Sequence, residues 1–219
     1  MKFVFIGGGK SDLVNGVYSE VTRNIAELLR DKVLLLVLSA SKSEFHLLWE
    51  DAVRAEYGIL IKEIKVLNDY SLSKENMNKI IDADVYFFSG GLPDVSLDLL
   101  KVGGLFDIFK KQNKLFIGIS AGALSFSKDC LITKDEDYAK TKIIEGFGFV
   151  DFCTDVHYCS SLERDKELLF LSNKRKIYAL SNKSSIIFDS NNEKIVSFGE
   201  VVIFSNGVRS FLDHNSNSN

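Results

Sequence analysis

Leu115-Phe116-Ile117-Gly118-Ile119-Ser120-Ala121-Gly122-Ala123-Leu124-Ser125-Phe126 is the stretch on which the reading of this chain turns. Residues 115–119 have the length and apolar character of a strand buried on both faces. Gly118-Ile119-Ser120-Ala121-Gly122 fits the pattern G-x-S-x-G, and residues 123–126 open a helix behind it. Small residues produce that pattern by chance. The strand before and the helix after give it meaning. Such a turn lifts a serine to the carboxyl edge of a sheet in strained backbone, and flanking glycines remove side chains that would strike strand and helix. The helix aims its N-terminal amides at the serine oxygen, so the N–H of Ala121 is expected as an oxyanion donor. The plain alternative is a structural Gly-Ser turn.

Outward from this turn the pattern alternates. Short apolar runs at 3–6, 33–38, 59–64 and 85–88 read as buried strands. Helical spacing runs over 17–29, 44–57, 73–81 and 95–111, the last broken near Gly103-Gly104. On 44–57 the apolar side carries Phe45, Leu48, Trp49, Ala52 and Val53. This alternation predicts a three-layer, doubly wound α/β fold with a mostly parallel sheet. The second half predicts a helix over 162–171. Short strands near 176–180, 185–188, 194–198, 201–204 and 208–212 suggest a small C-terminal β meander. One domain over 1–212 and a disordered polar tail over 213–219 are expected.

Composition sets the bounds. The chain has 219 residues, 46% hydrophobic and 26% charged, which suits a single globular core. With 27 basic and 30 acidic residues the net charge is -3, and the longest basic run is Lys174-Arg175-Lys176. That disfavours nucleic acid as a partner. The apolar start, residues 1–6, is too short for a signal sequence or a membrane span and stops at Gly7-Gly8-Gly9. A cytoplasmic protein is expected. Cys130, Cys153 and Cys159 show no C-x-x-C spacing, so neither a disulfide framework nor a metal site is expected.

A serine hydroxyl needs a base to act as a nucleophile near neutral pH. Of three histidines, His214 lies in the tail and His46 opens a helix. His157 lies between a glycine-rich apolar strand expected near 146–149 and the helix near Ser161, and is the expected base. For the orienting acid, Asp135, Asp137 and Asp155 precede His157, while Glu163, Asp189 and Glu200 follow it. Ser89-Gly90-Gly91, after another strand, offers Gly91 as a second oxyanion amide.

The order and spacing of the first strand and glycine loop, Ser89-Gly90-Gly91, the 118–122 turn and a histidine after Gly146-Phe147-Gly148-Phe149 resemble the dipeptidase E and cyanophycinase-like peptidases of family S51. These belong to the class I glutamine amidotransferase-like superfamily, with a flavodoxin-like sheet. The resemblance covers about residues 1–212. It implies a nucleophile at Ser120, a base at His157, oxyanion amides at Gly91 and Ala121, and an acid at Asp135. A competing family position for the acid falls on Asn182, which can orient a histidine but cannot neutralise it. The implied reaction is hydrolysis of short peptides through an acyl-enzyme, with an N-terminal aspartate preferred. No basic residue is singled out to read that side chain. No cofactor, a short peptide as partner, and a monomer or homodimer complete the expectation. Related amidotransferases carry cysteine at the turn, so serine argues against ammonia supply to a synthase. Two rivals stand beside this reading: a catalytically impaired relative that binds a small ligand or peptide in the same pocket, and a nucleotide module on Gly7-Gly8-Gly9. The second lacks G-x-G-x-x-G and places Asp12 near any phosphate.

Overall fold

The computed structural model describes residues 1–9, 20–38 and 43–212, with backbone alone at 20 and 43–46. The first half contains β1 (Lys2–Ile6), α1 (Glu20–Leu29), β2 (Val33–Val37), α2 (Ser43–Tyr57), β3 (Glu63–Leu67), α3 (Lys74–Asp82), β4 (Val85–Phe88), α4 (Pro93–Val102), α5 (Phe106–Lys110) and β5 (Leu115–Ile119). The second contains α6 (Ala121–Ser125), β6 (Asp129–Ile132), β7 (Lys142–Glu145), β8 (Cys153–Asp155), α7 (Leu162–Leu171), β9 (Ile177–Leu180), β10 (Ser185–Asp189), β11 (Lys194–Phe198), β12 (Val201–Ser205) and β13 (Val208–Phe211).

Among the described residues, seven strands form a central sheet in the order β11-β10-β1-β5-β4-β2-β3. From β1 to β3 every pairing is parallel. Successive side chains on a strand point to opposite faces, so each apolar run feeds two cores. Phe3, Phe5, Leu35, Tyr86 and Phe116 enter one core with residues of α3 to α6. Val4, Ile6, Leu34, Phe87 and Ile117 enter the other with residues of α1 and α2. Near-continuous apolar strands and a three-layer, doubly wound architecture are therefore one fact. Helix boundaries follow local chemistry. Ser73 Oγ accepts the Asn76 N–H (3.1 Å) at the start of α3, and Ser161 Oγ accepts the Arg164 N–H (3.2 Å) at the start of α7.

Three differences from the sequence reading have physical causes. The apolar run 59–61 closes α2 and is not a strand: Leu60 N–H donates to Tyr57 O (2.9 Å) and Ile59 is 83% exposed. The strand itself begins at Glu63. The C-terminal strands divide between sheets. β10 pairs antiparallel with β1 over five residue pairs and brings β11 with it, while β9, β12 and β13 join β8 in a separate sheet. The stretch 146–149 is irregular: Phe147 N–H donates to Ser125 O (2.8 Å) and Phe149 N–H to Phe126 O (3.0 Å). A β6–β7 hairpin, absent from the sequence reading, precedes it. Residues 213–219, His214 with them, and the side chain of His46 lie outside the described residues. Among the described residues no helix is long and apolar enough to cross a membrane.

Candidate active site

Strand β5 delivers Ser120 to the carboxyl edge of the parallel sheet, beside the end of β1. The serine adopts φ 52° and ψ -116°, a backbone state that costs a non-glycine residue about 1–3 kcal/mol. Its surroundings hold it there. Ser120 N–H donates to Ile6 O (3.0 Å), and its carbonyl accepts from Leu124 N–H (3.1 Å). The flanking glycines exist for contact. A Cβ on Gly118 would lie 2.5 Å from the Gly122 carbonyl carbon, and one on Gly122 would lie 2.3 Å from Phe88 O. Phe126 caps α6 and anchors it against Phe5, Phe88 and Phe116, at ring-centroid distances of 5.6, 5.4 and 5.9 Å.

His157 comes from the segment after β8. A left-handed turn at the residue (φ 52°) redirects its side chain, and its N–H donates to Gly7 O (2.8 Å). Ser120 Oγ and His157 Nε2 are 2.8 Å apart. On the far side of the ring, Nδ1 is 2.8 Å from Asn182 Oδ1. An amide oxygen only accepts, so Nδ1 carries the proton and Nε2 is the lone-pair nitrogen facing the serine hydroxyl. Asn182 sits in the turn between β9 and β10, and Lys183 N–H ties that turn to Gly8 O (2.8 Å). The glycine loop after β1 is the seat of this ring. A Cβ on Gly8 would lie 2.1 Å from His157 Cε1. The sequence reading gave Gly8 no part in seating the histidine, since only the fold brings it under the imidazole.

Asp135, expected as the acid, does not stand behind the imidazole. It lines the same cleft, but its Oδ1 accepts the N–H groups of Asp137 and Tyr138, both at 2.9 Å. The carboxylate closes its own turn, and the place at Nδ1 belongs to Asn182. Asp155 is also occupied elsewhere. It is fully buried, accepts from Thr133 Oγ1 (2.8 Å), and receives Arg164 Nε at 3.2 Å and an Arg164 terminal nitrogen at 2.7 Å. Burial pushes its carboxyl up from the ordinary range, against the pull of the Arg164 charge and these hydrogen bonds. Removing one partner of a buried pair costs about 3–5 kcal/mol. Asp155→Ala is therefore expected to lower the urea unfolding midpoint by that much stability at unchanged m-value. A midpoint equal to wild type would show that the pair holds nothing together.

The amides of Gly91 (φ 146°) and Ala121 flank Ser120, and among the described residues neither has a backbone acceptor. Both residues line a polar cleft of about 590 Å³ that also contains Ser120, His157 and Asp135. A hydroxyl against a lone-pair nitrogen, with two open amides alongside, is equipped for attack on a carbonyl and for holding the resulting oxyanion. Among the described residues no group of three His, Cys, Asp or Glu side chains is arranged to hold a metal ion.

Fold and geometry together define an α/β protein with a strained serine turn at the carboxyl edge of a parallel sheet. The chain belongs to peptidase family S51, whose family model matches residues 3–196, and this assignment supports a peptidase. Two crystal structures share the fold. A peptidase from an acI-B1 Actinobacterium superposes with a TM-score of 0.74 at 18% identity, over 98% of this chain and 95% of that one. A candidate peptidase E from Listeria monocytogenes EGD-e gives a TM-score of 0.65 at 19% identity, over 90% of this chain and 97% of that one. At such identities the likeness concerns fold alone. No curated protein matches the chain.

Proposed function

We propose that this protein is a serine-type peptidase that hydrolyses short peptides. Ser120 Oγ attacks the scissile carbonyl carbon while His157 Nε2 takes the hydroxyl proton. The Gly91 and Ala121 amides receive the oxyanion. The tetrahedral intermediate collapses to an acyl-Ser120 ester as His157 returns the proton to the departing amine. Water, deprotonated by the same imidazole, then releases the acid product. The observation that carries this reading is the 2.8 Å contact between Ser120 Oγ and His157 Nε2 at the edge of a cleft with two open amides. The test is a short-peptide library incubated with the wild-type protein, with a fluorophosphonate as active-site titrant. Hydrolysis, and one equivalent of label mapped to Ser120 by mass spectrometry, are expected. No hydrolysis and no label would remove the reading.

A second reading, a ligand-binding relative of low activity, draws on Asn182. Its side chain orients the ring but brings no negative charge to the imidazolium formed during attack. Exposure lessens that need: His157 and Asn182 are both exposed, so water solvates the charge. A carboxylate in that place favours the protonated ring. Asn182→Asp is expected to raise kcat/KM roughly tenfold, about 1.4 kcal/mol of transition-state stabilisation. It is also expected to move the acid limb of the kcat/KM profile to higher pH. Unchanged activity and profile would show that position 182 and the imidazole are uncoupled in solution.

A further inference from the structure

Ser120 and His157 line two cavities, one rimmed by charged side chains and one with none among the described residues. One is the polar cleft described above. The other, about 680 Å³, has Leu48, Trp49, Ala52 and Ile119 as its wall and Ser120 and His157 at its inner edge. That volume suits a small-molecule or side-chain site.

The wall originates in an apolar surplus on α2. The sequence pattern assigns Leu48, Trp49, Ala52 and Val53 to one buried side. In the fold, Val53 and Tyr57 are 2% and 6% exposed within the core, whereas Leu48 is 61% exposed. Trp49 is half-buried against that core, with its ring edge over Gly90. A Cβ on Gly90 would lie 2.8 Å from Trp49 Cζ2 and 3.4 Å from Ser120 Cβ. The missing side chain at position 90 thus leaves room for an indole edge over the backbone that neighbours Ser120. Leu48 and the open part of Trp49 face water here, and an apolar occupant removes that surface from it. Among the described residues no Lys or Arg lines this cavity. In the polar cleft, Arg164 is held by Asp155 and Lys134 pairs with Glu163 (3.4 Å).

We infer that this second cavity is the specificity subsite of the peptidase, taking an aromatic or branched-aliphatic side chain next to the scissile bond, with Trp49 as its determining wall. The inference rests on the peptidase reading only in making that side chain part of a substrate. Its binding can be measured separately. Trp49 is the single tryptophan of the chain, so its emission reports on the wall. Ser120→Ala protein, which cannot turn peptides over, is titrated with Gly-Leu-Gly, Gly-Phe-Gly, Gly-Asp-Gly and Gly-Gly-Gly. None of these absorbs where tryptophan is selectively excited. Saturable emission shifts are expected with the Leu and Phe peptides and not with the Asp or Gly peptides.

In the wild type, Trp49→Ala is expected to lower the ratio of kcat/KM for Leu and Phe peptides to that for the Gly peptide about tenfold or more. Trp49→Phe should restore most of the loss. Binding shifts of this pattern without wild-type hydrolysis would keep the subsite and remove the peptidase. Equal shifts for Leu and Asp peptides, or equal losses for all peptides in Trp49→Ala, would overturn the subsite and leave the peptidase standing.

Discussion

Ser120→Ala is expected to lower kcat by about a millionfold, abolish fluorophosphonate labelling, and leave the unfolding midpoint close to wild type. The loss is this large because attack, acyl transfer and deacylation all pass through one oxygen. No other hydroxyl is placed 2.8 Å from His157 Nε2 among the described residues. The near-constant stability follows from what the residue does for the fold. Its N–H and C=O hold the turn through Ile6 and Leu124, and alanine keeps both groups. Alanine also keeps the strain of φ 52° and ψ -116°. Glycine does not. Relief of about 1–3 kcal/mol of strain, set against about 0.5–1 kcal/mol of added backbone entropy, predicts that Ser120→Gly is inactive yet about 1 kcal/mol more stable than wild type. Thermal unfolding of the three proteins side by side checks this. A Ser120→Gly variant less stable than Ser120→Ala would mean that the turn stores no strain. A Ser120→Ala variant that keeps its label would mean that another residue is the nucleophile.

What was legible in the sequence was local. A strand, a turn of small residues and a helix are contiguous from Leu115 to Ser125, so the elbow could be read in one window. The two-faced strands were legible because covered parallel strands are apolar at every position. The place of His157 beside Ser120 could be anticipated through scarcity, since few histidines compete for it. What failed was contact across distance. The family resemblance, not spacing, supplied Asp135 and set it ahead of the competing position Asn182. The group at Nδ1 instead comes from a turn 25 residues beyond the histidine. The C-terminal strands carry the same alternation whether they pair with one another or with β1, so the pattern could not say that β10 would extend the central sheet. The apolar face of α2 showed the same limit. Periodicity places Leu48 and Val53 on one side but cannot say that core lies behind one and a cavity behind the other.

The glycine loop after β1 gives the sharpest case, and the second large effect. Gly8→Ala is expected to lower kcat/KM at least about a hundredfold, because a misplacement of about 1 Å in a reacting group costs that much. Gly8 is buried at φ 119°, and an added Cβ would lie 2.1 Å from His157 Cε1 and 2.4 Å from Nδ1. Backbone cannot absorb this. Gly8 O accepts from Lys183, and Gly7 binds Ser184 through its N–H and His157 through its carbonyl. The exposed ring is the part free to move, and its movement breaks the contact to Ser120, the contact to Asn182, or both. Alanine at such a φ is strained wherever it stands, so lost activity alone would not separate a displaced imidazole from a weakened fold. Gly9 supplies the control. It has φ 111°, and among the described residues the atoms nearest a Cβ there belong to Lys183 and Asn182, at 3.4 Å or more. Gly9→Ala should therefore lose comparable stability, about 1–3 kcal/mol, while keeping most of its kcat/KM. If the two alanine variants lose activity in equal measure, the loop acts through stability alone, and the imidazole is not seated on Gly8.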